Sequence, residues 1–256
     1  MRVVVTIPAY NESARIGGVI QRIPSAILED NEVVILAFDD GSSDDTARIA
    51  KKSGAHMVYR HPENRGVGHA YKNSVRAALH CSADILVNID ADGQFDPTEL
   101  SIIARPIANN EADVVIGSRF INDCDSMPLT KSIANHILTL LTSLLSGQRI
   151  TDAQSGFRAI SRRAAEQLRI CGYFTYTQEM ILDLASKGFT ITEKPVSVRY
   201  FHSRKSRVVK GFLHYATRVL GLLLITSLRI HKRRILGVIL GTAAAITMLG
   251  LLSGFM

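Results

Sequence analysis

Cysteine is scarce in this 256-residue chain: Cys81, Cys124 and Cys171 stand far apart and form no CxxC pair. That spacing argues against a disulfide framework or a thiolate zinc site and fits a reducing cytosolic setting. The eight histidines show no metal-ligand spacing. Internal repeats and low-complexity linkers are missing too. No signal peptide is expected, because an apolar strand, Arg2-Val-Val-Val-Thr-Ile-Pro8, starts almost at once. Apolar residues make up 46% of the chain, which suits one domain of about 200 residues plus an appendage. The net charge of +7 suits an anionic partner. Much of that excess lies near the C-terminus, so nucleic-acid binding is disfavoured.

Strand-like and helix-like runs alternate. Val3–Ile7 precedes a helical stretch from about 14 to 23, and Glu32–Phe38 precedes one from about 44 to 53. His56–Tyr59 precedes a helix over about 68–80, and Ile85–Ile89 precedes one opening at Asp96-Pro97. Val114–Gly117 follows. This rhythm predicts a mainly parallel sheet with helices on both faces. Ligands in such sheets bind beyond the carboxyl ends of the strands. Further on, a long helix over 126–147, an edge strand over 156–160, a helix over 175–186 and a strand over 190–201 are expected.

The C-terminus changes character. Residues 235–256 carry no charged side chain and as a helix would reach about 33 Å, enough to span a bilayer core. Before them, residues 210–233 are apolar but place Lys210, His214, Arg218, Arg229, Lys232 and Arg233 on one side of a helix. The pattern predicts an interfacial helix, basic side toward headgroups, and one transmembrane helix. Residues 1–209 would form the catalytic domain on the cytosolic face of the cell membrane, or of the endoplasmic reticulum in a eukaryote.

Chemistry concentrates where strands open into loops. Asp90-Ala-Asp92-Gly-Gln94 sets two carboxylates one residue apart after a buried strand. Their charges repel unless a cation lies between them. Oxygen ligands of this kind suit Mg²⁺ or Mn²⁺, which also grip phosphates. Pro8-Ala-Tyr10-Asn11-Glu12 ends the first strand, with Asn11 a helix cap and Tyr10 and Glu12 offering a stacking face and a ribose acceptor. Asp39-Asp40-Gly41-Ser42-Ser43-Asp44 ends the second, with Gly41 suited to a tight turn and Ser43 or Asp44 to a cap.

These pieces, with Asn64-Arg-Gly66-Val-Gly68, Gly117-Ser-Arg119-Phe120 and Ser155-Gly-Phe157, stand in an order that resembles the family-2 glycosyltransferases of the GT-A fold. Within them the chain is most similar to the dolichyl-phosphate mannose or glucose synthases, over roughly residues 1–210. The resemblance implies that Pro8, Tyr10, Glu12, Asp39 and Asp40 hold the base and ribose of a nucleotide-sugar donor. Asp90, Asp92 and Gln94 would handle a divalent metal, Mg²⁺ or Mn²⁺, and the diphosphate, with Asp92 and Arg119 catalytic. Arg119, Lys131, Asn135, Arg199, Arg204 and Ser206 would bind the phosphate of a polyprenyl or dolichyl phosphate acceptor; Arg and Ser often stand in that family where this chain has Lys131 and Asn135. The expected activity is inverting, metal-dependent hexose transfer from a GDP- or UDP-sugar to that lipid.

Many relatives place an acidic pair in the later helix to serve as general base. Here that region reads Thr177-Gln178-Glu179-Met180, with one acid. A phosphate acceptor needs no base, since its second pKa is about 6; it needs cationic clamping. Alternatives are a transferase extending a lipid-linked glycan with Glu179 as base, a sugar nucleotidyltransferase, and a non-catalytic membrane-tethered module. The first loop lacks the Gly-rich Arg/Lys pattern of nucleotidyltransferases.

Overall fold

The computed structural model describes residues 1–121, 127, 129–172, 174–200, 218–219, 221–226 and 228–230. Seven strands form one sheet in the order β3-β2-β1-β4-β6-β5-β7. They are β1 (Arg2–Ala9), β2 (Glu32–Asp39), β3 (Met57–Arg60), β4 (Ile85–Asn88), β5 (Val114–Ser118), β6 (Arg158–Ser161) and β7 (Ile191–Pro195). All pairings are parallel except those of β6, which runs antiparallel to both β4 and β5.

The β-branched run Val3-Val4-Val5 explains the centre. Such residues suit a pleated surface, and an unbroken apolar run suits a strand covered on both faces. Val3, Val5 and Ile7 enter one core cluster with Ile16, Ile20, Leu100 and Ile103; Val4 enters the other with Tyr71, Val75, Ile160 and Met180. The covering helices are α1 (Ile16–Gln21), α2 (Thr46–Lys52), α3 (Val67–His80), α4 (Leu100–Ala108), α5 (Leu129–Ser146), α6 (Arg162–Gln167) and α7 (Thr177–Ser186). A 3₁₀ turn, Pro97–Glu99, introduces α4; Asp96 accepts the Thr98 N–H and Pro97 takes the first position.

From β1 the chain moves outward through β2 and β3, then returns to the other side of β1 for β4. This reversal opens a crevice beyond the carboxyl ends of β1, β2 and β4. The α/β GT-A-like expectation holds. The segment expected as an edge strand over 156–160 does not: β6 lies inside the sheet, between β4 and β5. After α5 the chain re-enters in the opposite direction, and β7 becomes the edge beside β5. The strand expected over 190–201 stops at Pro195.

Residues 218–219, 221–226 and 228–230 are helical; of the expected basic stripe, Arg218 and Arg229 are described, and Arg218 is exposed. Arg229 points inward, 3.2 Å from the buried Glu179 carboxylate and 3.7 Å from Asp183, while Arg218 lies over the Phe174 ring. Val219 and Leu223 pack with Leu138 and Leu182, leaving Leu224, Ile225 and Leu228 exposed. The buried acids on α7 outcompete solvent for the Arg229 guanidinium. Among the described residues, no helix is long and apolar enough to cross a membrane. The expected span, 235–256, lies outside them, as do Arg204 and Ser206.

Gly41 closes the loop after β2 with φ +72°, and a Cβ there would fall 2.3 Å from the Glu63 carbonyl carbon. Gly41→Ala combines left-handed strain with a backbone clash, so it is expected to cost more than about 1 kcal/mol. Urea unfolding checks this; an unchanged midpoint would contradict the packing of this loop.

Candidate functional site

The loops after β1 and β2 are stitched together by side-chain-to-backbone bonds. Ser42 Oγ accepts the Asn11 N–H, Asn11 Oδ1 accepts that of Ser43, and Thr46 Oγ1 accepts that of Glu12, all at 2.8 Å. Asn11 sits in the left-handed region at φ 55°, a conformation asparagine tolerates. Its role joins the two loops, and the Glu12 carbonyl, not an Asn11 side-chain cap, receives the first N–H groups of the α1 turn. Asp44 accepts the Thr46 N–H and hydroxyl at the start of α2. Tyr10 is exposed at the rim, Pro8 ends β1 half-buried, and Glu12 is buried.

The two aspartates after β2 divide their work. Asp39 Oδ1 accepts the Ser42 N–H, and Arg60 Nε approaches Oδ2 at 3.2 Å. Asp40 faces the other way. Its carboxylate accepts from the Arg65 and Gly66 amides, the Asn64 side chain and His61 Nδ1. Four contacts fill a carboxylate's capacity. Asp40 therefore builds the Asn64–Gly68 loop, with its hydrogen-bonding capacity taken up inside the protein. Asn73 donates to His61 Nε2 at 2.8 Å, so His61 carries its proton on Nδ1, toward Asp40.

Asp90 and Asp92 follow β4, both half-buried. Asp92 Oδ1 accepts the Gln94 N–H at 3.0 Å. Asp90 rests on Gly156: a Cβ at that glycine would lie 2.5 Å from its carboxylate. Asn88 donates to the Gly156 carbonyl and to the Tyr176 hydroxyl. Burial and then the Asp90 charge push the Tyr176 phenol well above its ordinary range. No group of three His, Cys, Asp or Glu side chains that could enclose a metal occurs among the described residues. Two carboxylates and an amide form an open, all-oxygen donor set. It fits Mg²⁺ or Mn²⁺ whose remaining positions are filled by a diphosphate.

The other wall carries the expected phosphate residues. Gln94 accepts the Arg199 N–H through its carbonyl at 2.8 Å, so the exposed Arg199 stands beside the acidic loop. Arg119, just after β5, is not a free cation. Its Nε and Nη2 grip the two oxygens of Asp152 at 2.6 and 2.8 Å, and Nη1 reaches the Tyr200 hydroxyl. Two N–H groups remain for an anion. Asn135 donates to Asp152 from α5. Lys131 lies one turn earlier on that helix, and its side chain falls outside the described residues.

Sequence reasoning passed over Asp152, Tyr200 and Gly156. Asp152 stands three residues before the Ser155-Gly-Phe157 motif, but its partner is 33 positions away and becomes a neighbour only through the β5–β6 pairing. Glu179 turns out differently from its candidate role as base. It is buried, accepts the Cys171 and Gly172 N–H groups, and pairs with Arg229. A carboxylate so engaged is not available to take a proton from an acceptor.

Burial would raise the Asp152 pKa, but the Arg119 charge and hydrogen bonds outweigh it and hold the carboxyl below its usual 3.8. The same charge pair holds Arg119 up against burial. A depressed carboxyl pKa adds stability above the unfolded value, and that stability is lost as pH falls through the folded one. Asp152→Asn is expected to cost about 3–5 kcal/mol at neutral pH. It should also flatten the loss of stability below pH 3.8. Urea unfolding against pH measures both; parallel curves for the two proteins would refute the pairing.

Comparison with known proteins agrees with this geometry. The model of glycosyl transferase family 2 matches residues 4–169. The chain is 34% identical over 231 residues to UDP-N-acetylglucosamine–dolichyl-phosphate N-acetylglucosaminyltransferase of Methanococcus voltae, covering 80% of this chain and 90% of that protein. It is 30% identical over 196 residues to dolichyl-phosphate hexose transferase of Haloferax volcanii, covering 76% and 82%. In fold it resembles the crystal structure of glucosyl-3-phosphoglycerate synthase from Mycobacterium tuberculosis with Mn²⁺, uridine diphosphate and glucosyl-3-phosphoglycerate. There the TM-score is 0.66 at 22% identity, with 90% of this chain and 79% of that one covered. A mainly parallel sheet with acidic loops at its strand ends thus has its family: the chain belongs to glycosyl transferase family 2.

Proposed function

We propose that the protein transfers a hexose from a GDP- or UDP-sugar to a polyprenyl or dolichyl phosphate, with inversion, at the cytosolic face of a membrane. The observation that carries the reading is the backbone bond from Arg199 to Gln94. It joins the segment that bears the exposed Arg199 to the Asp90–Gln94 loop, so a cation suited to one phosphate would flank acids suited to a metal-bound diphosphate. The relatives' names, which pair a sugar with dolichyl phosphate, support the same acceptor class.

Tyr10, Glu12 and Asp39 would face the base and ribose, with Pro8 shaping the floor and Asp40 holding the Asn64–Gly68 loop against them. Asp90, Asp92 and Gln94 would hold the divalent cation. Bound there, it would neutralise charge on the departing nucleoside diphosphate. Arg199 and the two remaining N–H groups of Arg119 would clamp the acceptor phosphate, joined by Lys131, Asn135, Arg204 and Ser206. A phosphate oxygen then attacks the anomeric carbon opposite the diphosphate, the bond to the diphosphate oxygen breaks, and the configuration inverts. The acceptor is already largely dianionic at neutral pH, which agrees with Glu179 being engaged elsewhere and counts against a hydroxyl acceptor on a lipid-linked glycan.

The membrane side would be the apolar one. Ile133, Ile137, Leu140 and Leu144 recur at helical spacing along α5 and are all exposed, like Leu224, Ile225 and Leu228. With the charge-free run 235–256, they would meet the lipid from which the acceptor rises.

A panel of GDP- and UDP-sugars with polyprenyl phosphate and Mg²⁺ or Mn²⁺, read by mass spectrometry of the lipid, tests the activity. Asp92→Ala is expected to abolish product while leaving the melting temperature unchanged, and excess EDTA to stop the wild type. Full turnover in either case would end the metal role. The double variant Leu140→Glu/Leu144→Glu is expected to weaken sedimentation with anionic liposomes; equal binding would move the membrane contact elsewhere.

A further inference from the structure

Arg158 is the largest fully buried side chain among the described residues, on the interior antiparallel strand β6. The site as described makes no use of it. Its guanidinium meets no carboxylate: Nε donates to the Ser155 carbonyl at 2.7 Å, Nη2 to that of Ala153 at 2.7 Å and Nη1 to that of Thr177 at 2.5 Å. Burying a cation is costly, and burial pulls its pKa down although the nearby Asp152 and Glu193 charges act to raise it. Packing would not require such a group; a methionine fills similar space.

What the guanidinium holds is specific. Residues 152–157 form one short loop with two working parts. Asp152 grips Arg119 on the phosphate side, and Gly156 receives the Asp90 carboxylate on the acidic side. Two of the three Arg158 bonds fix the carbonyls between these points, and the third ties them to the start of α7. That turn also presents Tyr176, stacked on Tyr71 at 3.7 Å and bonded to the Asn88 side chain. We propose that Arg158 is a positioning residue: its grip on two carbonyls of the 152–157 loop and on the Thr177 carbonyl of α7 fixes the spacing between Asp90, on the proposed metal side, and Arg119, on the proposed phosphate side.

The inference rests on the proposed donor and acceptor sides, so its test has an arm independent of transfer. Arg158→Lys keeps a charge but cannot hold three carbonyls in one plane; Arg158→Met removes the charge at similar volume. For each, Mn²⁺ affinity in the presence of UDP is measured by electron paramagnetic resonance, and the folded fraction by circular dichroism. Transfer to polyprenyl phosphate is then compared with slow hydrolysis of the donor by water. Per folded molecule, transfer is expected to fall about 10–100-fold, the scale of a misplacement near 1 Å. Hydrolysis should fall less, and Mn²⁺ affinity should drop severalfold. Values per folded molecule equal to wild type overturn the proposal and leave Arg158 a stability residue. Gly156→Ala, which presses a Cβ on to Asp90, should reproduce the loss of Mn²⁺ affinity with Arg158 intact; unchanged affinity there removes the mechanical link and overturns the proposal even if both Arg158 variants fail to fold. A wild-type protein that binds Mn²⁺ with UDP but glycosylates no polyprenyl phosphate would sink the transfer reading instead, and the metal-affinity arm would still decide Arg158.

Discussion

The contact between the Asp90 carboxylate and the bare α-carbon of Gly156 governs the site. No side chain fits at that point, so β4 and the loop entering β6 approach as closely as backbone allows. The acid-bearing loop and the Arg119–Asp152 pair are thereby fixed to one another across a strand boundary. The antiparallel insertion of β6 between β4 and β5 creates that boundary. A wholly parallel sheet would carry the 152–157 loop to the opposite edge, away from the crevice.

Charge inside the protein is handled by enclosure. Asp40 is saturated by amides, a side-chain amide and an imidazole; Asp152 by one guanidinium and Asn135; Glu179 by two amides and Arg229. Each arrangement satisfies the lone pairs that a buried carboxylate would otherwise leave costly. The acids of Asp90-Ala-Asp92 stand at the strand end and stay half-buried rather than enclosed.

The strand-end loops were legible in the sequence because their residues sit within a few positions of strand ends, where periodicity places them. Pro8–Glu12, Asp39–Asp44 and Asp90–Gln94 follow β1, β2 and β4, three neighbouring parallel strands, as the βαβ rhythm requires. The wall around Arg119 was less so. Arg119 stood out as a cation, yet nothing local says that Asp152 already holds it, since the pairing depends on β6 joining the sheet from the far side. Asp40 looked equivalent to Asp39; only the fold of the Asn64–Gly68 loop separates them. Arg229, in the basic stripe of the tail, was read as outward because periodicity gives sides of a helix but not which side faces protein. Two acids on α7, four residues apart, decided that question.

That last contact bears on how such a chain is divided into parts. Arg229 belongs by position to the tail, yet it neutralises Glu179 and Asp183 within the sheet-bearing body. A boundary drawn ahead of residue 218 would strand the enclosed Glu179 without Arg229, while Asp183 would keep Lys187. Exchange of the C-terminal segment, in a laboratory chimera or by recombination, would therefore succeed only where the incoming segment brings a basic residue to the same place. The join between the sheet-bearing body and residues 218–230 is written in a single guanidinium.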